Sequence, residues 1–135
     1  MENFLNMKIG DIMHSRIWDL PLVEENADVK FVLIVLIGRC YTWVVKDIKS
    51  MELKGIITEH DAIKLLHGYN DELKAKDLMS SNLIYARMNE KVKDVIRKIN
   101  ENGVRRIPVI ENKKLVGEIT LRYLIEKLYS TVFNK

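Results

Sequence analysis

The chain has 135 residues, 47% apolar and 30% charged, with a formal net charge of +3; this is enough apolar sequence for a core and argues against a disordered chain. One cysteine, Cys40, rules out an intrachain disulfide, and three scattered histidines beside it make no metal-ligand cluster. The densest apolar run, Val29 to Ile37, is far shorter than the roughly 20 residues that span a bilayer, and no cationic and apolar leader is visible. A soluble, cytoplasmic protein with no membrane partner is therefore expected, either one compact domain or two small intertwined halves.

The modest net charge conceals an asymmetry. Residues 1–73 carry 8 Lys and Arg against 12 Asp and Glu, and residues 74–135 carry 14 against 7, so the halves stand at −4 and +7. Two oppositely charged surfaces that face each other would explain this, and so would a second half that supplies cations to an anionic ligand. Nucleic-acid binding has only this basic half behind it, with no aromatic interleaving and no recognisable motif.

Taken in order, the chain reads as one pattern written twice. Lys8-Ile9-Gly10-Asp11-Ile12-Met13 opens the first copy, and the alternating Ile17-Trp18-Asp19-Leu20 that follows is read as a strand. Val29 to Ile37 is apolar all round. It is either a buried strand or, as the repeat argues, a helix with Gly38 at its C-cap and a surplus apolar face that calls for a partner surface, most simply a second copy of the chain. Tyr41 to Val45 and Leu53 to Ile57 form paired strands around a polar connection. Leu53 to Ile57 leads through Thr58-Glu59-His60-Asp61 into an amphipathic helix, with Thr58 read as its N-cap.

The second copy begins with Lys74-Ala75-Lys76-Asp77-Leu78-Met79, followed by a strand at Leu83-Ile84-Tyr85-Ala86. Val92 to Asn102 is a helix with Val92, Val95, Ile96 and Ile99 on one face and Gly103 as its C-cap. Ile107 to Ile110 and Lys114 to Ile119 pair through a tight connection, with Pro108 near the start of the first, where a missing N–H does no harm. Leu115 to Leu128 then repeats the Leu53 to Leu66 stretch, with Tyr123 in the place of Asp61. Each half thus reads β-α-β-β-α, an α/β class. Trp18 and Trp43 are expected to be packing residues.

Thr58 and Asp61 fit a capping box, and that alone would place them there. The same geometry opens a helix N-terminus toward an anion, and a carboxylate in that turn suits paired hydroxyl donors. Arg105 and Arg106 are either solvated or aimed at phosphate, which a guanidinium fork suits. No Ser-His-Asp order, paired carboxylates or glycine-rich phosphate loop suggests an enzyme or a catalytic cofactor.

The repeat resembles a tandem pair of CBS domains, named for cystathionine β-synthase, where such pairs regulate an enzyme. The resemblance rests on Asp11-Ile12-Met13 and Asp77-Leu78-Met79, on Gly103 to Ile110, and on Gly55 to Asp61, and it covers residues 8 to 128. It implies two CBS repeats, 1–70 and 71–135, packed with pseudo-two-fold symmetry through their sheets, with an adenosine-containing ligand (AMP, ADP, ATP or S-adenosylmethionine) in the cleft between the repeats. Carried over by position, Thr58 meets phosphate and Asp61 the ribose hydroxyls, with Leu83, Ile84, Tyr85, Ile107 and Pro108 around the base, Arg105 and Arg106 toward the phosphates, and Ile57 as a further ligand contact. A second, weaker site would use Thr120 and Tyr123 with Ile17, Trp18, Val44, Val45 and Arg39, because Tyr123 cannot accept two hydroxyl hydrogen bonds as a carboxylate does. The implied function is a regulatory module, a homodimer that modulates an unknown partner protein; the alternative is an assembly module without ligand.

Overall fold

The computed structural model describes residues 1–133; residues 134 and 135, which close the second repeat as read from sequence, lie outside the described residues. In chain order the elements are α1 (Glu2–Leu5), α2 (Ile9–Ile12), a 3-10 turn (Ile17–Asp19), β1 (Leu22–Glu24), α3 (Val29–Arg39), β2 (Tyr41–Val45), β3 (Leu53–Thr58), α4 (Ile63–His67), α5 (Ala75–Leu78), α6 (Val92–Asn102), β4 (Arg106–Glu111), β5 (Lys114–Thr120) and α7 (Leu121–Phe133). They form two compact units. Unit 1 comprises residues 1–17, 84–112 and 116–133, and unit 2 comprises residues 18–83 and 113–115.

Unit 2 is built on a three-stranded sheet in the order β1-β2-β3. β1 runs parallel to β2, with Leu22 opposite Trp43, and β3 runs antiparallel to it, with Tyr41 opposite Thr58. Every side chain of β2 is buried, and Trp43 meets the Tyr41 ring edge-on at 5.8 Å. Helix α3 closes the core with Val29, Val32 and Leu36 against Val23, Val44 and Ile57. Its first turn is capped by Asp28, whose carboxylate accepts from the Phe31 N–H at 2.9 Å.

The first-half segment Val29 to Ile37 is therefore a helix, but it runs past Gly38. The left-handed residue that ends it is Cys40, at φ 71°, because Tyr41 enters β2 at once and the reversal must come immediately before it. A side chain in that conformation is strained by about 1 kcal/mol or more. Cys40→Gly is accordingly expected to raise stability by about 0.5–1 kcal/mol in chemical denaturation.

The strand expected at Ile17 to Leu20 is instead a 3-10 turn that leaves Trp18 81% exposed, so Trp18 is not a packing residue. Pro21 explains the shift. It carries no N–H and only its carbonyl is engaged, by the Trp43 N–H at 3.0 Å, so regular pairing starts beyond it at Leu22.

Unit 1 pairs β4 with β5 across a two-residue turn in which Asn112 and Lys113 both have positive φ, 51° and 68°, the backbone twist that tight hairpins require. Helix α6 buries Val92, Val95 and Ile99 and stops at Gly103, φ 62°, as its sequence pattern indicates. The strand expected at Leu83 to Ala86 shrinks to one parallel bridge between Ala86 and Val109. That bridge uses the Pro108 carbonyl and the Ile110 N–H; Pro108 has no donor with which to extend the ladder.

The segment that opens each repeat completes a distant partner strand. In unit 1, Met13-His14 follows α2 and lies along β5, with His14 and Glu118 exchanging backbone hydrogen bonds at 3.0 and 3.1 Å. In unit 2, Met79-Ser80 follows α5 and lies along β3, with Ser80 and Ile56 bonded at 2.8 and 3.0 Å. The approach is close enough to require glycine. A Cβ on Gly117 would stand 2.7 Å from the His14 carbonyl oxygen and 2.8 Å from the Met13 sulfur, and one on Gly55 would meet the Ser80 oxygen and the Met79 sulfur at the same distances.

Candidate functional site

The repeated segment that follows β3 and β5 folds differently in its two copies. In unit 1, α7 begins directly after β5, and the Thr120 hydroxyl accepts from the Tyr123 N–H at 3.1 Å, a regular N-cap. In unit 2 the helix does not start at Thr58. Residues 59–62 form a turn and α4 begins at Ile63. The reason is Asp61. Its Oδ2 accepts from the Thr58 N–H at 2.8 Å and from the Thr58 hydroxyl at 3.2 Å, so the hydroxyl donates to the carboxylate and does not cap a helix.

The other carboxylate oxygen of Asp61, Oδ1, accepts from the Ser80 hydroxyl at 3.1 Å. Asp61 is thus half-buried and held from two sides, and Oδ1 keeps acceptor capacity beyond its one bond. Chemically this is a fixed carboxylate beside two hydroxyls, suited to a ligand that brings hydroxyl donors. Ser80 was not among the residues singled out from sequence. The signal was present, since Ser80 follows the repeated Asp77-Leu78-Met79, but its counterpart in the first copy is His14 and the pair shows no shared chemistry.

Tyr123 occupies the place of Asp61 in unit 1. It is half-buried against the core, and the Lys127 ammonium lies 5.4 Å from its ring centroid. The other site residues read from sequence divide into exposed and buried sets. In unit 1, Tyr85 is exposed, and Lys98 donates to its carbonyl at 2.8 Å while lying 6.0 Å from its ring centroid. Ile84 packs partly buried on the core, and Ile107 is fully buried. Through the bridge at Ala86 and Val109, the structure brings Ile84 and Tyr85 beside Ile107 and Pro108.

Arg106 is half-buried at the start of β4, whereas Arg105 is exposed. Arg105 lines a groove with Lys93, Arg97 and Asn100 of α6 over a floor that includes Ile96, Ile99 and Val104. Its carbonyl accepts from the first N–H of α7 at 2.8 Å.

In unit 2, Leu83 is half-buried, while Ile57, Val44 and Val45 are fully buried, so any contact they make with a ligand is through the backbone. Arg39 donates to the Asp19 carbonyl at 2.9 Å and so ties the end of α3 to the turn that carries Trp18. Ile17 is half-buried in unit 1. Among the described residues no group of three or more His, Cys, Asp or Glu side chains is placed to hold a metal ion, and no helix is long and apolar enough to cross a membrane.

The chain belongs to the CBS domain family, whose model matches it twice, at residues 9–68 and 75–130. The fold is that of CBS-pair proteins. A CBSX2 structure in complex with AMP superposes with a TM-score of 0.80 over 93% of this chain and 98% of that one, at 23% identity. The CBS domain pair of protein MJ0100, in complex with 5′-methylthioadenosine and S-adenosyl-L-methionine, gives 0.71 over 93% and 98%, also at 23%.

Among curated proteins, the uncharacterized protein MJ1225 of Methanocaldococcus jannaschii is 33% identical over 134 residues, 95% of this chain and 46% of that protein. An uncharacterized 33.4 kDa protein of Thermofilum pendens is 24% identical over 105 residues, 78% of this chain and 35% of that protein. A homoserine O-acetyltransferase of Methanosphaera stadtmanae is 30% identical over 133 residues, 96% of this chain but 26% of that protein. The chain spans less than half the length of these relatives.

Proposed function

We propose that this CBS pair is a cytoplasmic regulatory module without catalytic chemistry of its own, that it binds an adenosine-containing ligand, and that it alters a separate partner protein. The observation that carries the reading is the Asp61 carboxylate, fixed by Thr58 and Ser80 with acceptor capacity left on Oδ1. Paired ribose hydroxyls are the donors such a carboxylate suits, and the Thr58 hydroxyl stands beside it for the phosphate. Leu83, Ile84, Tyr85, Ile107 and Pro108 are the proposed base contacts, through side chain or backbone, and Arg105 and Arg106 the proposed cations for the phosphate. AMP, ADP, ATP and S-adenosylmethionine all carry the sugar this chemistry selects. The similar CBS pairs crystallised with AMP or with S-adenosyl-L-methionine support that ligand class. The ligand would favour one arrangement of the chain, and the partner would read the shift.

The module is proposed to act as a homodimer through the exposed face of α3. That face also supports a second reading, an assembly module that binds no ligand. Calorimetric titration with AMP, ATP and S-adenosylmethionine separates the two. Saturable heat with at least one of them is expected, and no heat with any leaves only assembly.

The end of unit 1 that carries Thr120 and Tyr123 is proposed as the weaker site, with Ile17, Trp18, Val44, Val45 and Arg39. Tyr123→Asp restores a carboxylate at the third position of α7, where it also completes a capping box with Thr120. The expected outcome is a rise in titration stoichiometry from one ligand per chain toward two, while in stability the new cap works against the loss of the tyrosine ring's packing on the core.

A further inference from the structure

The groove along α6 in unit 1 has a volume of about 590 Å³, and three cations, Lys93, Arg97 and Arg105, line it together with Asn100. Beside it, between α1, α6 and α7, lies a hollow of about 180 Å³ lined by apolar side chains alone, among them Phe4, Leu5, Leu124 and Ile125. Ile96, Ile99 and Leu121 line both, so the two are continuous. A concave, mostly apolar surface with a few convergent polar groups is the form of a small-molecule site. Its apolar wall is open to solvent: Leu121, Ile125 and Leu128 of α7 are 40%, 57% and 41% exposed.

The duplication supplies an internal comparison. The two long helices have 11 residues each and bury equivalent positions, and counted from their starts Arg97, Asn100 and Arg105 fall where the first copy has Ile34, Ile37 and Thr42. The repeat therefore folds without cations at these places. Pairing within the chain does not account for them either. Arg97 reaches Asp94 at 3.4 Å, but both are exposed and such a pair contributes little, and among the described residues Lys93 and Arg105 have no ion-pair partner.

We infer that this surface binds a phosphate ester of a single hydrocarbon chain, with the chain in the hollow along α7 and the phosphate at the cationic rim. A guanidinium fork matches phosphate oxygens, and a phosphate monoester, with a charge of about −1.5 to −2 at neutral pH, suits three cations better than a carboxylate does. The Arg105 carbonyl accepts from the Leu121 N–H at 2.8 Å, which sets the head-group end at the start of α7. From Leu121 to Leu128 the helix advances about 10 Å, and the chain lies along that length. A hollow of about 180 Å³ does not admit a partner helix, which is about 10–12 Å across. The site lies wholly within unit 1 and does not depend on Asp61; Arg105 is the one residue it shares with those proposed above for the adenosine ligand.

Calorimetric titration with octyl, decyl and dodecyl phosphate tests the assignment. Each further methylene buried is expected to tighten binding about fourfold, while inorganic phosphate and decyltrimethylammonium give no saturable heat at the same concentrations. Arg97→Glu and Ile125→Asp, both at exposed positions, are each expected to weaken decyl phosphate about tenfold or more. Arg122→Glu makes the same charge reversal at a side chain of α7 that is 90% exposed and outside the groove, and it is expected to leave the affinity within about twofold. Amide chemical shifts of the wild type at Ile96, Ile99 and Ile125 locate the ligand even if a variant misfolds. No saturable heat with any alkyl phosphate, an affinity independent of chain length, or binding that Arg97→Glu and Ile125→Asp leave unchanged overturns the assignment. Complete displacement of decyl phosphate by AMP also overturns it, since the alkyl phosphate then occupies the adenosine site. Heat with AMP but none with alkyl phosphates sinks this site alone, and the converse sinks the adenosine reading alone.

Discussion

Gly55→Ala is expected to lower stability by about 2–3 kcal/mol, the range for forcing extra atoms into a packed site, with a fall in melting temperature of about 10 °C for a chain of this size. The new Cβ would lie 2.7 Å from the Ser80 carbonyl oxygen and 2.8 Å from the Met79 sulfur. The methionine can swing aside, but the carbonyl cannot, because Ser80 and Ile56 are joined by two backbone hydrogen bonds. Relief therefore requires Met79-Ser80 to lift from β3, which also loosens the donor that the Ser80 hydroxyl offers to Asp61. Gly68→Ala is the control, since its Cβ would meet nothing within 4 Å; it should stay within about 0.5 kcal/mol of wild type. Thermal melts of the two variants side by side check the difference, and an unchanged melt for Gly55→Ala would show that β3 and Met79-Ser80 do not pack as described.

Asp61→Ala has the larger functional effect. Removing the carboxylate takes away the proposed acceptor for two ribose hydroxyls, and hydrogen bonds to a charged group contribute about 1.5–3 kcal/mol each. A loss of at least 100-fold in affinity is expected by calorimetry. Stability falls as well, by about 1–2 kcal/mol, because the Thr58 N–H and the Ser80 hydroxyl lose their acceptor. Asp61→Asn separates the two effects. It keeps an oxygen for the fold and so should recover most of the stability, yet it lacks the charge and one acceptor and should recover little of the binding. Equal recovery of both would assign Asp61 to the turn and not to a ligand.

The parts of this structure legible in the sequence are those where local pattern and tertiary demand agree. Helix α6 has its apolar positions on one face and a glycine at its stop, and β2 through β5 emerge where the apolar runs are bounded by turns. The duplicated Gly55 to Leu66 stretch marked the segment that carries the candidate site. The misreadings have physical causes. Four alternating residues at Ile17 to Leu20 suit a strand until Pro21 withholds its N–H, and Leu83 to Ala86 is held to a single bridge because its neighbour is Pro108. Gly38 looked like a helix stop, but no turn follows it, and Cys40 takes the left-handed conformation although it bears a side chain.

Distant packing was the least legible. Gly55 and Gly117 belong to the motif, but the reason for glycine lies in Met79-Ser80 and Met13-His14, remote segments that press on the two strands. The same holds for Ser80, whose value to Asp61 depends on that approach. The two copies diverge because an aspartate that accepts from its own turn in unit 2 delays the helix, while a tyrosine in unit 1 lets it begin at once.

A crystal structure of the protein grown with AMP tests the central claim most directly. The expected result is density for one nucleotide per chain with its ribose hydroxyls about 2.6–3.2 Å from the Asp61 carboxylate and its phosphate beside Thr58. A nucleotide seated elsewhere, with Asp61 still bonded only to Thr58 and Ser80, would contradict it.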